Sequence, residues 1–299
     1  MPDPPGPPFL LILNVAAGGG RSKATVGRAT AALDALRYPF RLETSTSAEH
    51  ASDLAREAVE TGELPVAVGG DGQVARVAMP LVGTGQPMGI IPCGRGNDLA
   101  RGLGIPTDPV AAVDALVGRD TVMIDVGSAN GMTFLGIASV GFDSRANEIA
   151  NRSGFLPGRT VYAWSAIRAL FGWKPVRFTL SYDGSSKRVD AHTIAVANNC
   201  FYGGGMKVAP GADPSDGLLD LVVVGGVSRL RFVADFRKVF AGRHVDGTDV
   251  TETKVREVVV DSAEPFVVYA DGDPLTELPA TIRVIPESLR IVVPGGGAR

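Results

Sequence analysis

Cysteine and histidine are scarce in this chain, and no excess of positive charge is present. The two cysteines, Cys93 and Cys200, lie far apart. They form neither a CxxC pair nor a disulfide framework, which fits a reducing cytoplasm. The three histidines, His50, His192 and His244, are scattered. Their spacing matches neither a metal site nor a catalytic triad. The net charge is -3 and the pI is near 5.7. A nucleic-acid binder usually carries a basic domain or patch, so no nucleic-acid partner is expected. A locally basic face for phosphates stays open. Long apolar runs are missing too: none reaches the ~20 residues that a spanning helix needs. The start, Met1-Pro2-Asp3-Pro4-Pro5, has no basic n-region and no apolar core, so no signal peptide is expected. A cytoplasmic protein without a transmembrane segment is the expectation.

What is present suffices for folded cores. The chain has 299 residues, 45% hydrophobic and 20% charged, and at ~150 residues per domain that suggests two domains. Phe9 to Asn14 is a short apolar run ending near glycines, the pattern of a buried parallel strand. Residues 22–36 show helical spacing through Val26, Ala29, Leu33 and Leu36. A strand is expected at 40–43. Ser47 is a candidate N-cap for a helix whose stripe is Ala51, Leu54, Ala55, Ala58 and Val59. Further strands are expected at 65–68 and 88–92, with a helix over 73–82 between them. Strands alternating with helices predict an α/β layer with a parallel sheet. After about residue 125 strand-like stretches dominate, at 132–140, 176–182, 191–197, 218–224, 255–260 and 266–269, which predicts a mostly β second domain. Helix-like segments at 159–171 and 228–241 interrupt it.

Three glycine clusters stand out: residues 14–21, Gly69-Gly70-Asp71-Gly72, and Gly94-Arg95-Gly96-Asn97-Asp98. Glycine permits close backbone approach, so successive N–H groups can face a phosphate. Strand C-terminal ends are where open α/β sheets bind ligands. Asp71 suits Mg²⁺, a hard cation that prefers carboxylate oxygen. Each cluster alone could be a plain tight turn. Three at successive strand ends, two of them with Asp, favour a nucleotide site. None is a Walker A sequence or a complete dinucleotide fingerprint.

These motifs, in this order, resemble the diacylglycerol kinase catalytic-domain family, which includes sphingosine kinases and soluble bacterial lipid kinases. Residues 14–21 look like its Asn-Pro-x-Ser-Gly-Gly-x, and Gly69 to Gln73 like its Gly-Gly-Asp-Gly-Thr. Residues 91–101 look like Leu-Pro-x-Gly-Thr-x-Asn-Asp-Phe-Ala-Arg. Residues 198–210 with 216–221 resemble the second-domain core, and Asp271-Gly272-Asp273-Pro274 resembles Asp-Gly-Glu-Pro. The resemblance implies an α/β nucleotide-binding domain at 9–125, of the NAD-kinase and diacylglycerol-kinase type. A β-sandwich at 126–280 follows, and 281–299 return toward the first domain. It also implies an ATP- and Mg²⁺-dependent kinase acting on a lipid hydroxyl at a membrane surface, and leaves a homodimer open. By resemblance Asn14, Gly18, Ser45, Gly69, Gly70, Asp71, Gly72, Gln73, Arg95, Asn97 and Asp98 line the nucleotide. Asp273 takes the place of the family's catalytic Glu as proton acceptor, with Asp71 also catalytic. Asp213, Asp216 and the Leu218 carbonyl match a structural Mg²⁺ site, with a polar turn as the plainer reading. Asp271-Gly272-Asp273 could likewise be only a hairpin turn.

The departures all fall in the site. Val15 and Ala17 replace Pro and Ser. Gln73 and Arg95 replace two Thr hydroxyls, and Ala75-Arg76 replaces Asn-Glu. Arg76 and Arg95 add charges able to grip phosphate in bidentate fashion. Two alternatives follow: a degenerate kinase fold that binds nucleotide or lipid without turnover, and a kinase with a non-lipid hydroxyl acceptor, since NAD kinases share the Gly-Gly-Asp-Gly turn. The 159–171 segment, with Trp164, Arg159 and Arg168, reads either as an interfacial helix or as one packed on the sandwich.

Overall fold

A computed structural model describes residues 6–14, 20–142, 144, 173–226, 238–245, 247 and 249–295. The expected helices at 159–171 and 228–241 lie outside these residues, apart from 238–241 of the second. The chain divides into two compact units, Met1–Val126 with Pro286–Arg299, and Gly127–Ile285.

The first unit is a parallel sheet with helices. In chain order it contains β1 (Phe9–Asn14), α1 (Gly20–Ala35), β2 (Phe40–Ser45), α2 (Ala48–Glu60), β3 (Leu64–Gly69), α3 (Asp71–Ala78), β4 (Pro87–Pro92), α4 (Asp98–Gly102), α5 (Pro109–Gly118) and the start of β5 (Thr121–Ala129). β1 lies between β2 and β3, β3 pairs with β4, and all are parallel. Arg290 and Ile291 continue the parallel pairing beside Pro87 and Met88. Parallel sheets carry helices on their faces, so their strands are apolar on both sides. Every residue of β3 is accordingly buried. Phe9, Leu11, Val66, Val68 and Ile91 pack with Ala29 and Leu33 of α1 and Ala112, Val113 and Leu116 of α5. Truncating a buried leucine such as Leu33 to alanine typically costs about 2–5 kcal/mol. α2 buries Ala51, Leu54, Ala55 and Ala58 and packs against β1, β3 and α3. Ser47 is its N-cap: the hydroxyl accepts the His50 N–H at 3.0 Å, a bond worth about 1 kcal/mol.

Because the strands are parallel, Asn14, Ser45, Gly69 and Pro92 end at one edge of the sheet. The three glycine clusters begin there. α3 starts two residues earlier than its apolar spacing predicts. Its last turn becomes a 3₁₀ turn at Met79–Leu81, where Pro80 has no N–H to continue the α-helix. α5 and β5 are not anticipated above, although Asp108 followed by Pro109 is a helix-start signal. The Asp108 carboxylate accepts the N–H groups of Val110 and Ala111.

The second unit is a β-sandwich. It holds the end of β5, then β6 (Met132–Phe134), β7 (Ile137–Gly141), β8 (Val176–Tyr182), β9 (Ser185–Ala197), β10 (Phe201–Tyr202), β11 (Met206–Lys207), β12 (Leu219–Gly225), β13 (Val250–Val255), β14 (Glu257–Ser262), β15 (Val267–Ala270), β16 (Asp273–Glu277) and the first part of β17 (Ala280–Val292). β9 is central, pairing antiparallel with β7, β8 and β12. Its inner half is buried on both faces: Ile194 and Val196 join Phe178, Leu221 and Val260 in one cluster, while Ala195 and Ala197 join Ile137 and Val222 in another. Two expected strands are divided. The 132–140 run breaks at Leu135–Gly136, whose backbone turns to an aspartate described below. The 255–260 run contains a boundary at Arg256, so that Val255 ends β13 and Glu257 starts β14.

Candidate functional site

The glycine turn after β3 and the glycine loop after β4 cross at near contact. A Cβ placed on Gly94 would lie 2.4 Å from the Gly70 Cα and 3.1 Å from its nitrogen. Only glycine lets two backbones approach so closely. The Cys93 N–H donates to the Gly69 carbonyl at 2.9 Å and ties the two strand ends together. Asn97 shapes the second loop: it stands in the left-handed region at φ +53°, which Asn tolerates through local hydrogen bonds. Its Oδ1 accepts the Gly94 N–H at 2.9 Å, and its Nδ2 donates to the Gly94 carbonyl at 3.2 Å.

Asp71 joins the two loops. Its Oδ1 accepts the N–H of Asp98 at 2.6 Å and that of Leu99 at 3.3 Å, so the carboxylate caps α4. Its Oδ2 lies 2.6 Å from where a Gly96 Cβ would be, and the Asp98 Oδ2 lies 3.1 Å from the same point. The missing side chain at Gly96 thus leaves a notch bordered by two carboxylates. Two carboxylates suit Mg²⁺, which is generally held by one or two of them, together with waters and substrate phosphates. Arg101 fixes the rim by donating from Nε to the Gly96 carbonyl at 2.9 Å.

The other expected nucleotide residues fall into distinct places. Gly69 to Gln73 run from the end of β3 into the first turn of α3, and Gly70 is its N-cap. A Cβ on Gly72 would meet nothing nearer than the Arg76 Nη1 at 4.0 Å, so that backbone face is open. Gln73 is 2% exposed, and its Nε2 donates to the Ile12 carbonyl at 3.0 Å. The side chain braces β1 from beneath the turn. Ser45 is also buried, its hydroxyl donating to the Leu13 carbonyl at 3.1 Å. Arg95 is exposed on the glycine loop, and Asn14 ends β1. Gly18 lies outside the described residues. Cys93, buried beside Ser22, has its thiol pKa pushed up by burial, which the Ser22 hydroxyl partly offsets.

In the second unit Asp271-Gly272 forms the tight turn between β15 and β16, at φ +52° and +95°. Asp271 faces inward. Its carboxylate accepts the N–H groups of Leu135 at 2.9 Å, Gly136 at 3.0 Å and Ile137 at 3.3 Å. A Cβ on Gly136 would fall 2.5 Å from the Asp271 Oδ1, which is why the strand breaks at a glycine. Asn198 completes the anchorage, with Nδ2 donating to the Leu135 carbonyl at 3.0 Å. Asp273, two residues on, is exposed at the start of β16. The turn therefore fixes Asp271 and presents Asp273.

The acidic loop before β12 is more crowded than its sequence indicates. The Asp213 Oδ1 accepts the N–H and hydroxyl of Ser215, at 2.9 and 2.7 Å. The Asp216 Oδ1 accepts the Leu218 N–H at 3.0 Å, while its Oδ2 meets the Lys254 ammonium at 2.7 Å. Lys254 also reaches the Asp220 Oδ2 at 3.1 Å and the Gly211 carbonyl at 3.0 Å. Burial pushes the Asp220 carboxyl pKa up against the pull of Lys254. The Lys254 pKa is held above the usual lysine range: burial lowers it, but the bonds to Asp216 and Asp220 outweigh that. Among the described residues no group of three or more His, Cys, Asp or Glu is arranged to hold a metal ion. Lys254, Asp220 and Glu252 are not singled out by sequence reading, since their meeting depends on strand register.

A parallel α/β unit with glycine turns at its strand ends, joined to a β-sandwich, defines the class to which kinases of diacylglycerol and NAD type belong. Residues 8–129 match the diacylglycerol kinase catalytic domain, and residues 136–293 match the YegS C-terminal NAD kinase beta sandwich-like domain. The chain is 40% identical over 258 residues to the "Diacylglycerol kinase" of Mycobacterium tuberculosis H37Rv, covering 84% of this chain and 83% of that one. It is 30% identical over 251 residues to a "Probable lipid kinase YegS-like" of Chromohalobacter salexigens, covering 82% and 81%. A crystal structure of a putative diacylglycerol kinase from Bacillus anthracis superposes with a TM-score of 0.82, at 23% identity over 98% of this chain and 99% of that one. The last likeness speaks for the fold alone. The chain belongs to the diacylglycerol kinase family.

Proposed function

We propose that this protein is a lipid kinase that transfers the γ-phosphoryl group of ATP to a lipid hydroxyl, of diacylglycerol or sphingoid type, with Mg²⁺. The observation that carries the reading is the Asp71 and Asp98 pair around the Gly96 notch, at the C-terminal edge of a parallel sheet. Asp71 and Asp98 would hold the ion, which would neutralise charge on the phosphates. The open backbone face at Gly72, in the first turn of α3, suits phosphate oxygens. Arg95 and Arg76 supply the positive charge that the missing Thr hydroxyls do not. Asp273 accepts the proton of the attacking hydroxyl, a task for an exposed carboxylate held by a rigid turn. In this proposal Gln73 and Ser45 position the turn from below and do not touch nucleotide through their side chains.

The test is incubation with labelled ATP, Mg²⁺ and a panel of lipids, beside Asp71→Asn and Asp273→Asn. Labelled lipid from the natural chain and at least about 100-fold less from each variant is expected. No product above the variants would sink the proposal. The burial of Gln73, which presents no hydroxyl to a phosphate, favours the second reading of binding without turnover. Calorimetric ATP binding beside absent labelled product from every acceptor would establish that one instead.

A further inference from the structure

We infer that Lys254 is the resident cation of the β-sandwich loop at 211–218, and that this loop needs no divalent ion. The family resemblance points to Mg²⁺ on Asp213, Asp216 and the Leu218 carbonyl, and the residues present do not fit it. Mg²⁺ takes its oxygens at about 2.0–2.1 Å in octahedral geometry and keeps several waters. Here both oxygens of Asp216 already have donors, the Leu218 N–H at 3.0 Å and the Lys254 ammonium at 2.7 Å. The Asp213 Oδ1 receives two donors from Ser215. A divalent ion on Asp216 would stand beside an ammonium held by three oxygens.

Strand register places the lysine there. Asp220 on β12 and Lys254 on β13 are direct cross-strand partners. An ammonium has three donors and no acceptor. Lys254 meets three acceptors, on Asp216, Asp220 and Gly211, at 2.7, 3.1 and 3.0 Å. Glu252, two residues earlier and so on the same strand face, accepts the Gly211 N–H at 2.9 Å. β13 thus grips both the carbonyl and the N–H of Gly211, and the lysine bridges the loop to the buried Asp220. This is the work a structural cation would do, performed by a side chain.

The inference stands apart from phosphoryl transfer and is tested without nucleotide or lipid. Thermal unfolding of the full chain is compared in EDTA and in excess Mg²⁺, for the natural sequence, Lys254→Met, Asp216→Asn and the double variant. Mg²⁺ held by Asp71 and Asp98 would raise the natural chain and Asp216→Asn alike, so the two should show the same difference between EDTA and Mg²⁺. Lys254→Met should melt about 5–10 °C lower in EDTA, since it strands two carboxylates. Beyond the shared rise, Mg²⁺ should restore part of that loss, and the double variant should lose the restoration. A Mg²⁺-dependent rise in the natural chain that Asp216→Asn abolishes would overturn the inference, as would an unchanged melt for Lys254→Met or a loss that Mg²⁺ leaves unrelieved. Should Lys254→Met fail to fold, Mn²⁺ counted by electron paramagnetic resonance decides. Equal numbers bound by the natural chain and Asp216→Asn support the inference, and one fewer in the variant refutes it.

Discussion

Replacing Gly94 by alanine tests the backbone crossing on which the candidate nucleotide site is built. The added Cβ would stand 2.4 Å from the Gly70 Cα, 2.9 Å from the Asn97 Oδ1 and 3.1 Å from the Gly70 nitrogen. Carbon atoms are comfortable at about 3.5–4.0 Å, so the crossing must open by more than about 1 Å. The atom in the way belongs to a backbone and cannot rotate aside. Opening the crossing loosens the Asn97 bond to the Gly94 N–H and the Cys93 bond to the Gly69 carbonyl, both at 2.9 Å. Overpacking costs about 1–3 kcal/mol, and each weakened bond adds about 1 kcal/mol at most. The sum is about 1–5 kcal/mol, a fall of roughly 3–20 °C in melting temperature for a unit of this size. A displacement of about 1 Å at a positioned group can also cost about 100-fold in rate. Gly72→Ala is the contrast, because its Cβ would enter open space 4.0 Å from Arg76. In the first turn of α3 it should leave stability unchanged or raise it by up to about 1 kcal/mol, while covering the backbone face assigned to phosphate. Urea unfolding measures the first effect and ATP titration the second. If Gly94→Ala unfolds like the natural chain, or the two variants lose equal stability, the crossing does not carry the site.

Three further outcomes separate positioning groups from reacting ones. Asp273→Asn, at an exposed position, should leave the melting temperature unchanged and abolish labelled lipid. Asp271→Asn turns an amide donor toward N–H groups of Leu135–Ile137 and should lose about 2–3 kcal/mol in urea unfolding, with activity following the folded fraction. Gln73→Ala strands the Ile12 carbonyl and should destabilise the first unit by about 1–3 kcal/mol, yet change ATP affinity in the folded protein less than tenfold. Affinity lost in proportion to a direct phosphate contact would reassign Gln73. Burial raises the Cys93 thiol pKa, so its thiolate is scarce at neutral pH and becomes available only as pH rises past the elevated pKa. A thiol reagent at neutral pH should therefore modify half-buried Cys200 first, with both cysteines reacting in denaturant. Fast modification of Cys93 in the native protein would contradict that environment.

The first unit was legible because its instructions are local. A parallel strand buried on both faces reads as an uninterrupted apolar run, as in Phe9 to Ile12. Ser47 sits where a cap must sit for the stripe beginning at Ala51. The divided strands were not legible for the opposite reason. Nothing in residues 132–140 says that the N–H groups of Leu135 and Gly136 belong to a carboxylate at position 271. The run from Phe134 to Ala138 passes through the break without a polar residue, and the partner lies more than a hundred residues away. The same distinction divides the candidate sites. Asp71 stands in a motif whose neighbours along the chain shape it, so its place at the turn could be read directly. Gln73 is in that motif too, but whether its amide faces a phosphate or the core depends on β1 passing beneath, which spacing does not record. The acidic loop is the sharpest instance. Its carboxylates, Asp213 and Asp216, lie close in sequence and suggest a vacancy for a cation. The cation that meets Asp216 comes from a strand about forty residues later, through the pairing of Asp220 with Lys254. A cluster of like charges read along the chain is thus half of an electrostatic arrangement, and the sheet supplies the other half. Metal sites inferred from carboxylate spacing in such a loop need the opposing strand checked for lysine or arginine before an ion is assigned.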